Sequence, residues 1–395
     1  MRSVVIAGAS LAGFSAAQAL RKRGFDGTIT VVGEEPHLPY QRPPLSKQFL
    51  CGEWERPRLD LRIADGLQLE WILNARAIAL DMHHREVVLA DGRRLRFDGL
   101  VVATGAHACR PGWCVKLDGV FTLRTVDDAQ ALRSHLASGT RKVVIVGAGF
   151  IGSEAAASLR KLGHDVTLAD IDSVPMRRVL GERLGGVCLR LHESHGVNPL
   201  FGVAVDAILG STSVERVRLR DGRTIETDCV IVGVGVTPNV EWLRGSGLVL
   251  DDGVVCDSAC AALGAERVVA AGDVASWAHP HYGQLRVEHW DNAIAQGDAA
   301  ARTLLAPPGT RQPYAPVPFF WSDQYDCKLQ LIGSPRPGDT MRVVEGALDD
   351  RRFVATFERD SQPTGAFLFN SMHRIAAYRQ AVESAAAGLM AGADT

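Results

Sequence analysis

VVIAGASLAG at residues 4–13 and VVIVGAGFIG at residues 143–152 read almost alike, each set between a β-branched apolar run and an alanine-rich stretch. Val4-Val5-Ile6 and Val143 to Val146 have the length and composition of short buried strands; Leu11 to Arg23 reads as a helix stopped by Gly24, and roughly Gly152 to Leu162 as one closed by Gly163. In such a strand–turn–helix the first glycine, Gly8 or Gly147, makes the tight turn. The middle position, Ser10 or Gly149, lets backbone approach a pyrophosphate, and the last glycine, Gly13 or Gly152, lets the helix pack on the sheet. The helix N-terminus then favours negative charge. Ser10 adds a hydroxyl where the middle glycine usually stands, a small donor that a phosphate tolerates. Each unit supplies a second strand ending in an acid, Thr28 to Val32 before Glu34 and Val166 to Ala169 before Asp170. These acids stand where a ribose hydroxyl needs an acceptor; a single acid there is equally an exposed strand end, but the arrangement occurs twice. Two dinucleotides bound by one chain is the first expectation.

The 395 residues allow two to four domains with real hydrophobic cores. A formal charge of −2 lacks the overall basic bias of a nucleic-acid binder. The first strand begins at Ser3, leaving no room for a signal peptide, and no run approaches the ~18 apolar residues of a membrane span, so a cytoplasmic protein is expected. Eight cysteines, Cys51, Cys109, Cys114, Cys188, Cys229, Cys256, Cys260 and Cys327, lack the spacings and nearby histidines of a zinc site, and no metal is expected. Cys109 and Cys114 form a C-x4-C pair used by some flavin disulfide reductases, but Pro111 and Gly112 place it in a loop rather than on a helix, which reads as reduced, structural thiols.

The first unit runs to about Arg110, its last strand, Leu100 to Ala103, leading into Thr104-Gly105. A second unit begins near Pro111 and ends at the strand Val230 to Val232, followed by Gly233-Val234-Gly235 and the turn Val236 to Asn239. Strand-like runs return at Val254-Val255 and Val268 to Ala270, then Asp273, with a helix expected from near Val274 and another from near Asp291 to Leu305. The expected fold is therefore α/β: two Rossmann-like dinucleotide-binding domains, residues 1–110 with 235–307 split by 111–234, plus a small C-terminal α+β domain, 308–395, marked off by Pro307-Pro308-Gly309. Within it, Lys328 to Ile332, Thr340 to Val344 and Phe353 to Phe357 read as strands, and Ser371 to Met390 as a terminal helix capped by Asn370 or Ser371.

PYQRPPLSK at residues 39–47, ATG at 103–105, GAGFIGSE at 147–154, AAGD at 270–273, RVEHWDNA at 286–293 and FFWSDQ at 319–324 carry a resemblance covering essentially the whole chain. It resembles the FAD-dependent, NADH-using ferredoxin reductases of bacterial oxygenase systems, relatives of putidaredoxin reductase and apoptosis-inducing factor in the pyridine nucleotide–disulfide oxidoreductase superfamily. The resemblance implies hydride transfer from NADH to FAD, then single electrons to a separate iron–sulfur ferredoxin or rubredoxin feeding an oxygenase. It places Gly8, Ser10, Gly13, Glu34, Arg42, Pro44, Lys47, Thr104, Gly105, Asp273, Val274, Glu288, His289 and Trp290 at the FAD. The NADH set is Gly147, Gly149, Phe150, Ile151, Gly152, Glu154, Asp170, Arg178, Gly233, Val234 and Gly235.

Arg42 has the chemistry to clamp the FAD pyrophosphate, and Lys47, stiffened by Pro43-Pro44, to stabilise charge on the flavin ring. Glu154 sits in the first turn of its helix, where a carboxylate is favoured by the dipole alone; by resemblance it pairs with Lys47 across the nicotinamide pocket. Asp273 resembles the aspartate that bonds the ribityl or pyrophosphate region, and would also serve as an ordinary N-cap. By the family motifs around them, Trp290 and Trp321 are the candidates for the aromatic walls of the isoalloxazine and nicotinamide site. Asp170 favours NADH by repelling a 2′-phosphate, unless Arg177 or Arg178 folds back over the ribose.

An acidic ferredoxin would want a basic face, for which Arg21-Lys22-Arg23, Arg93-Arg94-Arg96 and Arg351-Arg352 are the candidates. Two other functions stay open. One is a disulfide reductase or NADH oxidase, which needs a flavin-facing cysteine. The other is a redox-sensing flavoprotein like apoptosis-inducing factor. Monomer and homodimer are equally compatible with the sequence.

Overall fold

Apolar runs without polar alternation belong to strands covered on both faces. The chain, seen as a computed structural model that describes residues 1–307 and 309–393, puts both fingerprint runs at the middle of a parallel sheet. The first sheet has the order Val268–Ala270, Gly99–Val102, Ser3–Ala7, Thr28–Val32, Glu70–Ile72. The second repeats the plan as Asn198–Phe201, Asp165–Asp170, Lys142–Val146, Cys229–Val232, Val120–Thr122. Helices Leu11–Lys22 and Phe150–Lys161 leave the two central strands, the second starting two residues before Gly152 because extended Gly149 is its N-cap.

Before its last strand each unit inserts a three-stranded antiparallel meander that the sequence reading passes over, Ala77–Asp81, Glu86–Leu89 and Arg94–Arg96 in the first, Val205–Gly210, Val214–Leu219 and Thr224–Glu226 in the second. The helix expected from Val274 is absent. Ala275–His279 is instead a strand, pairing with Val254–Cys256 and Gly283–Arg286. Its reason is burial: Trp277 is completely enclosed and its indole N–H donates to the Tyr314 carbonyl at 3.1 Å, which an N-terminal helical turn would not place there. Helix Trp290–Leu305 lies along helix Leu11–Lys22, so closely that a Cβ on Gly297 would stand 2.6 Å from the Ala12 carbonyl oxygen.

The C-terminal unit is a five-stranded antiparallel sheet, ordered Phe319–Gln324, Cys327–Gly333, Gln362–Phe369, Phe353–Arg359, Thr340–Gly346, followed by helix Ile375–Ala393. That helix begins later than Ser371 because Met372–Arg374 form a separate 3-10 turn, and the Ser371 hydroxyl donates to Phe369 rather than capping. One face of the sheet shares an apolar core with helix Arg177–Ser194: Leu180, Leu184 and Cys188 meet Leu329, Phe353 and Phe369. At the edge of this contact the fully enclosed His192 ring sits 2.7 Å from the Tyr325 hydroxyl, and His195 stacks on the Tyr325 ring.

Burial lowers the His192 pKa to about 4, with His195 adding to the effect, and burial takes His289 to about 4 as well, against Asp273. Unfolded histidine titrates near about 6.5, so the folded chain excludes both protons and the stability they contribute is complete above that pH. It drains as pH falls from about 6.5 towards about 4, by at most roughly 3 kcal/mol per ring. Thermal unfolding midpoints should therefore drop steeply below pH 6, and His192→Gln should flatten the slope. A profile of identical steepness in that variant counts against the assignment.

Candidate active site

Proline at the first two positions of the 3-10 turn Pro43–Ser46 needs no backbone donor there. Leu45 in the turn and Phe49 and Leu50 beyond it pack with Ala155, Ala156 and Leu159 of the second fingerprint helix, and the Ser158 hydroxyl donates to the Ser46 carbonyl at 2.7 Å. This docking lays Lys47 over Glu154, ammonium to carboxylate 3.0 Å. Ser46 donates to the other carboxylate oxygen at 2.5 Å, and Ser322, on the first strand of the C-terminal sheet, donates to Oε1 at 2.8 Å. Gln324 in turn donates to Ser322 at 3.2 Å. Glu154 is 3% exposed, and a charge so enclosed persists only with partners of this kind. Three segments far apart in sequence thus converge on one carboxylate.

Arg42, before the turn, spends its donors on protein: Glu35 at 2.5 Å, the Arg124 carbonyl at 2.7 Å and the Ser10 hydroxyl at 3.4 Å. Tyr40 donates to the other Glu35 oxygen and accepts from the Val126 amide; burial pushes its phenol well up, which keeps the proton on. Arg124 pairs with Asp273 and donates to the Ala106 carbonyl. Thr104 and Asn239 exchange side-chain to backbone bonds at 2.9 and 2.8 Å, tying the ATG turn to the segment where the chain returns from the second unit.

These groups border one cleft of 1780 Å³. Gly8, Ser10, Glu34, Arg42, Lys47, Thr104, Gly105, Asp273, Glu288, His289 and Trp290 line it, as do Gly149, Phe150, Ile151, Glu154, Arg178, Gly233, Gly235 and Trp321. Pro44, Val274, Val234, Gly13, Gly147, Gly152 and Asp170 do not. Pro44 and Val274 are buried, and Gly13 and Gly152 sit where a Cβ would fall under 3.0 Å from the Gly8 and Gly147 carbonyl oxygens. Both acids after the second strand border the cleft; Glu34 is exposed there, while Glu35 anchors Arg42. The Asp170 carboxylate accepts from the Ala148 amide at 2.6 Å and the Asp172 amide at 2.9 Å, bracing the fingerprint loop.

The roof is aromatic. Trp290, at the first position of its helix, meets Trp321 edge to face at 6.1 Å, and Phe150 of the second fingerprint meets Phe320 at 3.6 Å. His289 lies 5.3 Å from the Phe320 ring. His289 Nδ1, Trp290 Nε1 and Trp242 Nε1 are buried without a partner, although buried polar atoms are nearly always bonded. A Cβ on Gly149 would meet no protein atom within 4 Å, although the residue lines the cleft. Orphaned donors, an open glycine cradle and two helix N-termini are what extended polar, aromatic dinucleotides need, and these residues fit FAD and NADH.

Sequence reasoning named the motifs but not the work of Tyr40, Phe320, Ser322 and Gln324 inside them. It missed Glu35, signalled only by adjacency to Glu34, and Arg124 altogether, and it quoted Asn239 only as the end of a turn.

Residues 2–297 match the pyridine nucleotide-disulphide oxidoreductase family, and residues 319–392 the reductase C-terminal domain. Rhodocoxin reductase of Rhodococcus erythropolis is 39% identical over 357 residues, 89% of this chain and 82% of the relative. The ferredoxin–NAD(+) reductase component of the anthranilate 1,2-dioxygenase system of Burkholderia cepacia is 38% identical, over 87% of this chain and 84% of its own length. The covalent putidaredoxin reductase–putidaredoxin complex superposes with a TM-score of 0.90 at 29% identity, covering 98% and 93% of the two chains. The two family matches and the end-to-end superposition agree: the chain belongs to the pyridine nucleotide-disulphide oxidoreductase family, in the branch that carries the reductase C-terminal domain.

Proposed function

We propose that this protein is an NADH:ferredoxin reductase that supplies electrons to an oxygenase system. The observation that carries the reading is the buried Lys47–Glu154 pair, set between two glycine cradles in one cleft that no cysteine lines among the described residues. FAD, when bound, accepts a hydride from NADH and releases electrons singly. We infer that residues 1–110 with 235–307 hold FAD, that 111–234 hold NADH, and that 308–395 close the site.

The chain's own residues do the rest. The fingerprint turns present backbone amides and helix N-termini to the two pyrophosphates. Arg42, kept in place by Glu35, adds a guanidinium beside the first of them. Lys47 presents an ammonium at the junction of the two cofactor sites, and Glu154 keeps it there. Trp290, Trp321 and Phe320 exclude water, which strengthens each of these charges. The electron acceptor is a separate iron–sulfur protein, as the relatives' names imply. Of the arginine runs read from the sequence as docking candidates, several side chains are already paired within the chain. Arg94 and Arg96 pair with Glu86, Arg93 with Asp91 and Arg23 with Asp298, while Arg21 donates to four backbone carbonyls. Among the described residues no helix is long and apolar enough to cross a membrane, in keeping with a cytoplasmic electron carrier.

Purified protein should be yellow, bleach on anaerobic NADH addition, and reduce cytochrome c only when an oxygenase-system ferredoxin is added. Colourless protein that takes up no FAD removes the reading. A disulfide reductase is set aside by the thiols: Cys51 lies away from the cleft, donating to the Ser158 carbonyl, and burial raises its pKa. Alkylation with iodoacetamide should leave ferredoxin reduction within twofold of the untreated rate; abolition points to a catalytic cysteine.

A further inference from the structure

The end of the strand Asp165–Asp170 carries a second acid whose contacts point outward from the fingerprint. Asp172 is half-buried, its amide bound to Asp170 at 2.9 Å and its carbonyl accepting from Gly202 at 2.9 Å, so its carboxylate has a defined place beside Asp170. That carboxylate reaches Arg178 at 3.3 Å and Arg177 at 3.6 Å. Arg177 has another partner, Glu182 at 2.7 Å, itself held by Ser173. Arg178 has Asp172 as its ionic partner among the described residues, is 78% exposed, and lines the cleft. Both arginines sit on a turn that non-helical Gly181, φ 74°, separates from the long helix behind it, so side-chain pairing rather than helix packing orients them.

A guanidinium at the adenosine end of a nucleotide cleft is the group that recognises a ribose 2′-phosphate. Here it is neutralised in place, and the neutralising carboxylate stands next to another. We propose that Asp172 is the specificity-determining residue that turns this site against 2′-phosphorylated dinucleotides: it holds Arg178 in an ion pair and so withholds the guanidinium from a phosphate. The inference rests on the reading of residues 111–234 as the NADH site and deepens it, since Asp170 alone has both carboxylate oxygens engaged by backbone amides.

The test uses the FAD-loaded full chain and two probes without a nicotinamide, 5′-ADP and 2′,5′-ADP, measured by calorimetry. Asp172→Asn should bind 2′,5′-ADP about fivefold more tightly than wild type, the size expected for unmasking one exposed charge, with 5′-ADP moved less than twofold. Arg178→Ala should show no gain, and Asp172→Asn with Arg178→Ala should lose it. The gain should shrink in high salt, and the ratio of kcat/KM for NADPH to that for NADH should follow it. An unchanged 2′,5′-ADP constant in Asp172→Asn, or a gain that survives loss of Arg178, overturns the proposal. Wild type that binds neither nucleotide overturns the NADH-site reading itself, a different result from wild type that binds 5′-ADP while the variant fails to gain.

Discussion

Replacing Glu154 with alanine should slow the anaerobic bleaching of the bound chromophore by NADH about 100-fold, with FAD content unchanged. The carboxylate is the shared acceptor of Lys47, Ser46 and Ser322, and removing it leaves the ammonium, 11% exposed, without its counter-ion. An unpaired charge held at such a site costs about 3–5 kcal/mol, more than the remaining contacts of a flexible lysine supply, so Lys47 turns out to solvent. Displacement of a positioned group by ~1 Å is enough to cost about 100-fold in rate. Retention of FAD is expected because Arg42, Glu35, Tyr40, Arg124 and Asp273 form a separate set of contacts. Ser322→Ala removes one of three donors and should cost less, about tenfold, the worth of one bond to a charged group. Bleaching within twofold of wild type in Glu154→Ala sinks the assigned role of the pair.

That pair was legible from motif resemblance, but the reason it holds was not. The fingerprints announce themselves because a turn, a helix start and a strand are written in one short stretch, and local rules suffice for Gly8 to Gly13 and Gly147 to Gly152. Ser322 reaches Glu154 across 168 residues, and Asn239 reaches Thr104 across 135; no local pattern encodes such encounters. Glu34 and Glu35 show the limit at its smallest scale. Sequence spacing selects a position after a strand, whereas the fold decides which of two neighbours at the cleft stays exposed and which one Arg42 and Tyr40 claim. The strand Ala275–His279 was misread as a helix because Gly272-Asp273 has the chemistry of a cap, and the pairing that overrides it comes from Val254–Cys256, distant in sequence. The two meanders escaped for a different reason: their short strands carry charges on their exposed faces, and edge segments of three to six residues give too few turns of any period to register.

Alanine at Gly147 and alanine at Gly149 should fail in opposite ways, although only one residue separates them. At Gly147 the backbone has φ 105°, which an L side chain rarely adopts, and a Cβ would fall under 3.0 Å from the Gly233 carbonyl oxygen, a backbone atom that cannot rotate away. Positive φ and a backbone clash together cost roughly 3 kcal/mol or more, enough to unsettle the second sheet where strand Cys229–Val232 pairs with the fingerprint strand. Gly147→Ala should therefore lower the thermal midpoint by roughly 10 °C or appear only as insoluble chain. At Gly149 the φ is −71° and no protein atom lies within 4 Å of a built Cβ, so the methyl costs the fold nothing and projects where backbone must approach a pyrophosphate. Gly149→Ala should keep its midpoint within about 2 °C and its FAD, yet weaken 5′-ADP and raise the KM for NADH about tenfold, the price of about 1.4 kcal/mol of lost approach. Calorimetry and unfolding curves on the two variants decide it: equal stability losses, or tight 5′-ADP binding by Gly149→Ala, would mean that the nucleotide does not lie over this turn.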